Sequence, residues 1–280
     1  MERENIFKGK KRIIVKVGSN TLTRDETGHL DLVRIEKMVR ELCNLKNMGL
    51  DVCLVTSGAI AVGRQALGVT SKPTKMSRKQ ALAAIGQAHL MSIYQKIFSE
   101  YNQTTGQILM TKSTILDNVS RKNAENTFEE LFSMNVIPIV NANDTISTYE
   151  INFGDNDTLS AVVCALTGAD LLILLSDIDG LYSNNPREDE TAELIPTVEE
   201  ITDDIFKMAS DSTGSDIGTG GMRSKLNAAT IATKSGADMV IVNGKDMGII
   251  HRIMEGNFNG TTFLSNYDED FDLLDSLKDG

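Results

Sequence analysis

The segment of this chain best suited to holding a phosphate is Gly218-Thr219-Gly220-Gly221-Met222-Arg223-Ser224-Lys225, a glycine-rich stretch that runs into a helical pattern. Glycine lets a backbone approach a ligand closely and adopt positive φ without steric cost. A helix start adds unpaired N–H groups and the positive end of a dipole, both of which favour an anion. Neither common nucleotide signature is present. G-x-x-x-x-G-K-[ST] occurs nowhere, and G-x-G-x-x-G fails because Arg223 stands where the third glycine belongs. A nucleotide held here is therefore held in another fold, and the same glycines would also serve as a plain turn and cap. Lys16 lies inside an apolar run just before Val17-Gly18. It is either an edge-strand side chain that snorkels to water or a cation held rigidly against a phosphate. Lys225 divides in the same way between a surface residue and a second cation. Two lysines at the ligand-side ends of secondary structure would clamp a transferring phosphoryl group.

Polar residues cluster again in Phe153-Gly154-Asp155-Asn156-Asp157-Thr158-Leu159-Ser160. Capping a helix needs only one of Asp155, Asn156 and Asp157, so the cluster exceeds structural demand. Asn141-Ala142-Asn143-Asp144 reads as a turn or as part of a site. Asp177-Ile178-Asp179-Gly180 resembles a shortened calcium loop without its later acidic ligands, so no protein-held metal is expected. His29, His89 and His251 stand apart from these clusters, and no Ser-His-Asp arrangement emerges. An alcohol accepting a phosphoryl group wants a base. A carboxylate, with a pKa of about 4, is already ionised and needs none. Its obstacle is repulsion, roughly 1 kcal/mol for a like-charge pair at about 4 Å in water and several times that in a low dielectric. Cations, helix starts and magnesium carried by the nucleotide answer that obstacle.

These residues need strand ends to hold them. Arg12–Val17, Val52–Val55, Ile108–Met110, Val136–Val140, Leu171–Leu175 and Met239–Val242 read as strands. Helices are expected from an Asp31 cap to Gly49, from a Ser77/Gln80 capping box to about Tyr101, around Phe128–Phe132, over Asp157–Leu166 and over Lys225–Lys234. Strands alternate with helices and are continuously apolar, the pattern of a mostly parallel sheet covered on both faces. Ligands of such sheets bind beyond the carboxyl ends of the strands. Gly18-Ser19, Ser57-Gly58, Asn141 to Asp144 and Ser176-Asp177 all follow strands and should converge on one edge.

The 280 residues carry a formal charge of −11, which argues against a nucleic-acid partner. Cys43, Cys53 and Cys164 are scattered, as suits a reducing cytoplasm. The polar start, Met1-Glu2-Arg3-Glu4-Asn5, does not read as a secretory leader, and Leu159–Leu175 is too interrupted to span a membrane. Residues 1–265 read as one domain and 266–280 as an acidic tail or short helix.

Taken together, the motifs resemble the amino-acid kinase family, and within it the branch that acts on free glutamate. The matching segments are Val15 to Ser19, Val55 to Gly63, Asn141 to Thr145, Phe153 to Ala161, Leu175 to Tyr182 and Gly218 to Lys225, in the family's order. The resemblance implies a three-layer αβα sandwich around a mostly parallel sheet. It implies that ATP, with Mg2+, phosphorylates the side-chain carboxylate of L-glutamate, the first step of proline biosynthesis. By position, Lys16 and Lys225 would stabilise the transferring group and Asp157 would orient them. Ser57, Gly58, Asp144 and Asn156 would hold glutamate, with Asp144 on its ammonium. Lys16, Ser176, Asp177 and the run Thr219, Gly220, Gly221, Met222, Arg223, Ser224, Lys225 would bind the nucleotide. The family is commonly inhibited by proline and assembles into dimers or tetramers. Many members continue into a PUA module, which this sequence lacks. The alternatives are a kinase for another acid, such as N-acetylglutamate, aspartate or carbamate, and a non-catalytic amino-acid sensor. A nicotinamide-dependent dehydrogenase is disfavoured by the absence of the three-glycine fingerprint.

Overall fold

A computed structural model describes residues 4–24, 26–146, 156–186, 188–211 and 221–278. Its strands are β1 (Arg12–Val17), β2 (Asp51–Val55), β3 (Thr105–Met110), β4 (Ile137–Ala142), β5 (Leu171–Ser176), β6 (Thr197–Val198), β7 (Asp238–Asn243) and β8 (Thr261–Phe263). They form one sheet in the order β3-β4-β2-β1-β5-β7-β8-β6. All neighbours run parallel except β7 and β8, which pair antiparallel with Met239 opposite Phe263. The antiparallel strand β8 and edge strand β6 are three and two residues long. That is too short for hydrophobic alternation to reveal them in the sequence.

The helices are α1 (Glu4–Phe7), α2 (Ser19–Leu22), α3 (Leu32–Asn47), α4 (Ala59–Ala66), α5 (Met76–Glu100), α6 (Lys112–Leu116), α7 (Asn118–Ser133), α8 (Asn156–Thr167), α9 (Asp203–Asp211), α10 (Met222–Lys234), α11 (Ile249–Met254) and α12 (Leu273–Lys278). Successive strand residues face opposite sides of a sheet, so β1 feeds two cores. Ile14 joins Phe128 and Phe132 of α7, Leu159 and Val163 of α8 and Leu226 of α10. Ile13, Val15 and Val17 join Ile35 and Met38 of α3, Leu90 and Tyr94 of α5 and Ile250 of α11. The result is the expected αβα arrangement. It also sets the direction of Lys16, which alternates onto the same side as Ile14 and hence toward α8 and α10. No helix among the described residues is long and apolar enough to cross a membrane.

Asp31 caps α3 as expected, its side chain accepting from the Val33 and Arg34 amides at 3.1 and 3.2 Å. The capping box at Ser77 is not formed. The Lys75 carbonyl accepts from the Arg78 and Lys79 amides at 3.1 Å, so α5 begins at Met76 and Ser77 lies inside its first turn. Arg12 ties the opposite edge of the sheet. Its guanidinium pairs with Asp51 and Glu129, reaches the Thr167 carbonyl, and lies 4.3 Å from the Phe132 ring centre.

Two glycines allow α4 and α5 to touch backbone to backbone. A Cβ added at Gly86 would lie 1.7 Å from the Ala59 carbonyl oxygen, and one at Gly63 would lie 2.0 Å from that of Leu82. Gly86→Ala is therefore expected to destabilise the protein by roughly 3 kcal/mol, the upper part of the range for overpacking. Equilibrium urea unfolding checks this, as a lower midpoint with unchanged slope.

Candidate functional site

Lys16, Asp157 and Lys225 come from three different elements and meet. Lys16 is the penultimate residue of a central strand, not an edge, and is only 8 % exposed, which removes the snorkelling reading. Asp157, 1 % exposed in the first turn of α8, receives both lysines. The Lys16 ammonium pairs with its Oδ1, and the Lys225 ammonium, 6 % exposed, donates to its Oδ2 at 2.9 Å. Ser224 Oγ also approaches Oδ2, at 3.4 Å. Burial alone would push the Asp157 carboxyl up, but the two ammonium groups outweigh it and hold the group below the ordinary carboxylate value. An ammonium carries three N–H donors, so a lysine held on a carboxylate can also present hydrogens to a ligand oxygen.

Around this triad the helix starts lack side-chain caps. Gly18 precedes α2, Gly58 precedes α4 and Gly221 precedes α10, and none has a side chain to accept from the first-turn amides. Amides left without a protein acceptor suit an anionic ligand. Gly58 has φ +98°, a left-handed conformation that turns β2 into α4 and that other residues adopt only under strain. A Cβ added there would lie 3.9 Å from Ser19 Cβ, so the loops after β1 and β2 are neighbours.

Asn156, one residue before Asp157, faces the other way. Its Nδ2 donates to the Thr56 carbonyl at 2.6 Å, to Ser57 Oγ at 2.8 Å and to Asn141 Oδ1 at 2.9 Å. Two consecutive residues at the start of α8 thus join two half-sites, the lysine pair on one side and the ends of β2 and β4 on the other. Asp144 follows β4 closely, and burial pushes its carboxyl above the ordinary carboxylate value. Asn141 and Ala142 do not form the simple turn that was one of their two readings; they are the last residues of β4, paired with Leu109 and Met110 of β3.

On the far side of β1, Ser176 ends β5 and donates to Asp177 at 3.2 Å, with Asp177 exposed beyond the strand. Gly221, Met222, Arg223 and Ser224 form the cap and first turn of α10, Met222 buried and Arg223 exposed. Thr219 and Gly220, with Phe153 to Asp155, lie outside the described residues. His29, His89 and His251 are all exposed, and no group of three or more His, Cys, Asp or Glu among the described residues is arranged to hold a metal.

Sequence reasoning overlooked two polar residues here. Tyr94 OH lies 2.8 Å from Thr56 Oγ1, and Gln87 Oε1 accepts from Asn141 Nδ2 at 2.8 Å. Gln87 and Tyr94 stand seven residues apart on the buried stripe of α5, two turns on one face. The readable signal was an amide and a phenol on an otherwise apolar stripe.

The chain matches the amino acid kinase family over residues 11–243. A glutamate 5-kinase of Clostridium tetani is 51% identical over 93% of this chain and 97% of its own length. One from Clostridium perfringens is 47% identical over 94% and 98%. One from Caldanaerobacter subterraneus is 49% identical over 90% of this chain but 68% of its own length. Among solved structures, UMP kinase from Ureaplasma parvum superposes with a TM-score of 0.61 at 14% identity, covering 91% of this chain and 99% of that one. Isopentenyl phosphate kinase from T. acidophilum gives 0.62 at 16%, covering 90% and 100%. At such identities these two establish the fold.

Proposed function

The chain belongs to the amino acid kinase family, and from that premise we propose that it transfers the γ-phosphoryl group of ATP to the side-chain carboxylate of L-glutamate. The products are L-glutamyl 5-phosphate and ADP, and the reaction opens proline biosynthesis. The observation that carries this reading is the meeting of Lys16 and Lys225 on Asp157, next to Asn156, whose side chain reaches Ser57. The name of the Clostridium relatives supports the choice of acceptor.

The γ-carboxylate attacks in line. A bond forms between its oxygen and the γ-phosphorus, and the bond to the β,γ-bridging oxygen breaks, leaving ADP. No proton moves, so no base is required, in keeping with the exposed histidines. Lys16 and Lys225 face the oxygens of the transferring group, where charge repulsion between carboxylate and polyphosphate is greatest. Asp157 keeps both ammonium groups aimed. Ser176, Asp177 and the Thr219 to Lys225 run hold the nucleotide, the uncapped start of α10 facing its phosphates. Magnesium arrives with the nucleotide and neutralises its phosphate charge.

Glutamate occupies the pocket of Ser57, Gly58, Asp144 and Asn156. Asn156 spends its NH2 group on β2 and β4 and so offers its carbonyl, an acceptor that matches the ammonium along with Asp144. Proline shares that cationic amine and the α-carboxylate but has no γ-carboxylate, so it occupies the pocket without reacting. Asp144→Ala is expected to raise the glutamate KM about 10- to 100-fold, the worth of a hydrogen bond to a charged group, with little change in the ATP KM. Because burial holds the Asp144 carboxyl up, the glutamate KM of the parent should also rise as pH falls from neutrality toward the upper carboxylate range. Equal rises in both KM values would remove Asp144 from the pocket.

The reading is tested by incubating the protein with ATP, magnesium and hydroxylamine, and measuring hydroxamate and ADP with glutamate, N-acetylglutamate or aspartate. Glutamate-dependent formation of both products in equal amounts is expected. Turnover with N-acetylglutamate alone would transfer the assignment to that acid, and glutamate binding without turnover would make the chain a sensor.

A further inference from the structure

We propose that Gln87 is a positioning residue for the acceptor pocket, acting through Asn141 on Asn156; this rests on the glutamate reading above. The hydrogen-bond polarity of the network is set by two backbone groups. The Ala142 N–H donates to Asn141 Oδ1 at 2.9 Å, which fixes the direction of the Asn141 amide. The Thr56 carbonyl, an acceptor only, fixes Asn156 Nδ2 as donor. Asn141 Oδ1 therefore receives Asn156 Nδ2, and Asn141 Nδ2 must find an acceptor of its own. Gln87 Oε1 is that acceptor, at 2.8 Å.

The arrangement costs stability. Gln87 is 7 % exposed, and its Nε2 is buried without a hydrogen-bond partner. An orphaned donor of this kind is a cost, set against the bond that the carbonyl of the same amide makes. The amide is accounted for by what its carbonyl does for Asn141. Asn141 is itself only 1 % exposed. Without Gln87 its buried NH2 group would lose this acceptor, and the side chain would rotate to find another. That rotation withdraws Oδ1 from Asn156, freeing the residue that turns its carbonyl to the amino acid.

The test compares the parent with Gln87→Met, Gln87→Glu, Asn141→Ala and the Gln87→Met/Asn141→Ala double variant, each measured for glutamate KM, ATP KM and melting temperature. Gln87→Met, similar in volume but without an acceptor, is expected to raise the glutamate KM about tenfold, a loss at the lower end for a buried hydrogen bond, with ATP KM within about twofold. Gln87→Glu keeps an oxygen toward Asn141 and should hold the glutamate KM within about threefold of the parent. The double variant should match Asn141→Ala alone, because the effect passes through that residue. An unchanged glutamate KM in Gln87→Met, equal rises in both KM values, or additive effects in the double variant each overturn the inference. If Gln87→Met does not fold, Gln87→Glu decides, a tenfold rise in its glutamate KM being the overturning result. A parent without glutamate turnover refutes the functional reading instead, so the two failures are distinct.

Discussion

Lys225→Ala is expected to lower kcat by about 10²–10³-fold, the loss typical when one preorganised donor to transition-state charge is removed, while leaving the glutamate KM close to that of the parent. The reason is where the ammonium sits. It projects from the first turn of α10 into a region where it is 6 % exposed and held on Asp157 Oδ2 at 2.9 Å. In such a poorly solvated place a fixed charge acts more strongly than in water and needs no reorganisation as the phosphoryl group moves. In the proposed arrangement glutamate is held on the Asn156 side, which this substitution does not touch. Lys225→Arg should recover little, since a planar guanidinium does not reproduce a compact ammonium at the same place. Steady-state kinetics at saturating ATP and glutamate checks both variants, and a kcat within threefold of the parent would remove Lys225 from the reacting group.

Asp157→Ala carries a double penalty. It strips two buried ammonium groups of a shared carboxylate, and breaking a buried pair costs about 3–5 kcal/mol. It also releases Lys16 and Lys225 from a common aim, so kcat should fall at least as far as for either lysine alone. The stability loss has a pH signature. The Asp157 carboxyl titrates below its ordinary value in the folded protein. Its contribution is therefore complete above the unfolded value of about 4 and fades as pH falls through the lower folded value. Urea unfolding of parent and Asp157→Asn as a function of pH should show curves far apart near neutrality that converge below about pH 4. Parallel curves across that range would mean that the carboxylate charge contributes nothing.

How much of this was legible in the sequence depended on the kind of residue. Long apolar runs such as Ile13 to Val17 and Leu171 to Leu175 declared strands, and their alternation with helices declared the layered fold. Lysine within such a run, and glycines at helix starts, were conspicuous because they conflict with what packing alone would choose, so Lys16, Lys225 and Gly58 stood out. Strand ends were misjudged where polar residues continue a strand. Asn141 and Ser176 complete β4 and β5 because their backbones pair with β3 and β7, which no local pattern announces. Gln87 and Tyr94 were hidden for a related reason. An amide and a phenol on the buried stripe of α5 signal polar contacts but do not name the partners, Asn141 of β4 and Thr56 after β2, which lie far away in sequence. The half-site division at Asn156 and Asp157 likewise needed the structure, since neighbouring residues of one helix turn point to different partners.

The proposed function requires that Lys16 and Lys225, both held on Asp157, act on one phosphoryl group offered to a glutamate carboxylate. Its most direct test is a crystal structure with glutamate, magnesium and a non-hydrolysable ATP analogue. Both Nζ atoms are expected within about 3 Å of oxygens on the terminal phosphate, with the glutamate side-chain carboxylate in line on its far side. A terminal phosphate contacted by neither lysine, or by one with the other turned away, would contradict it.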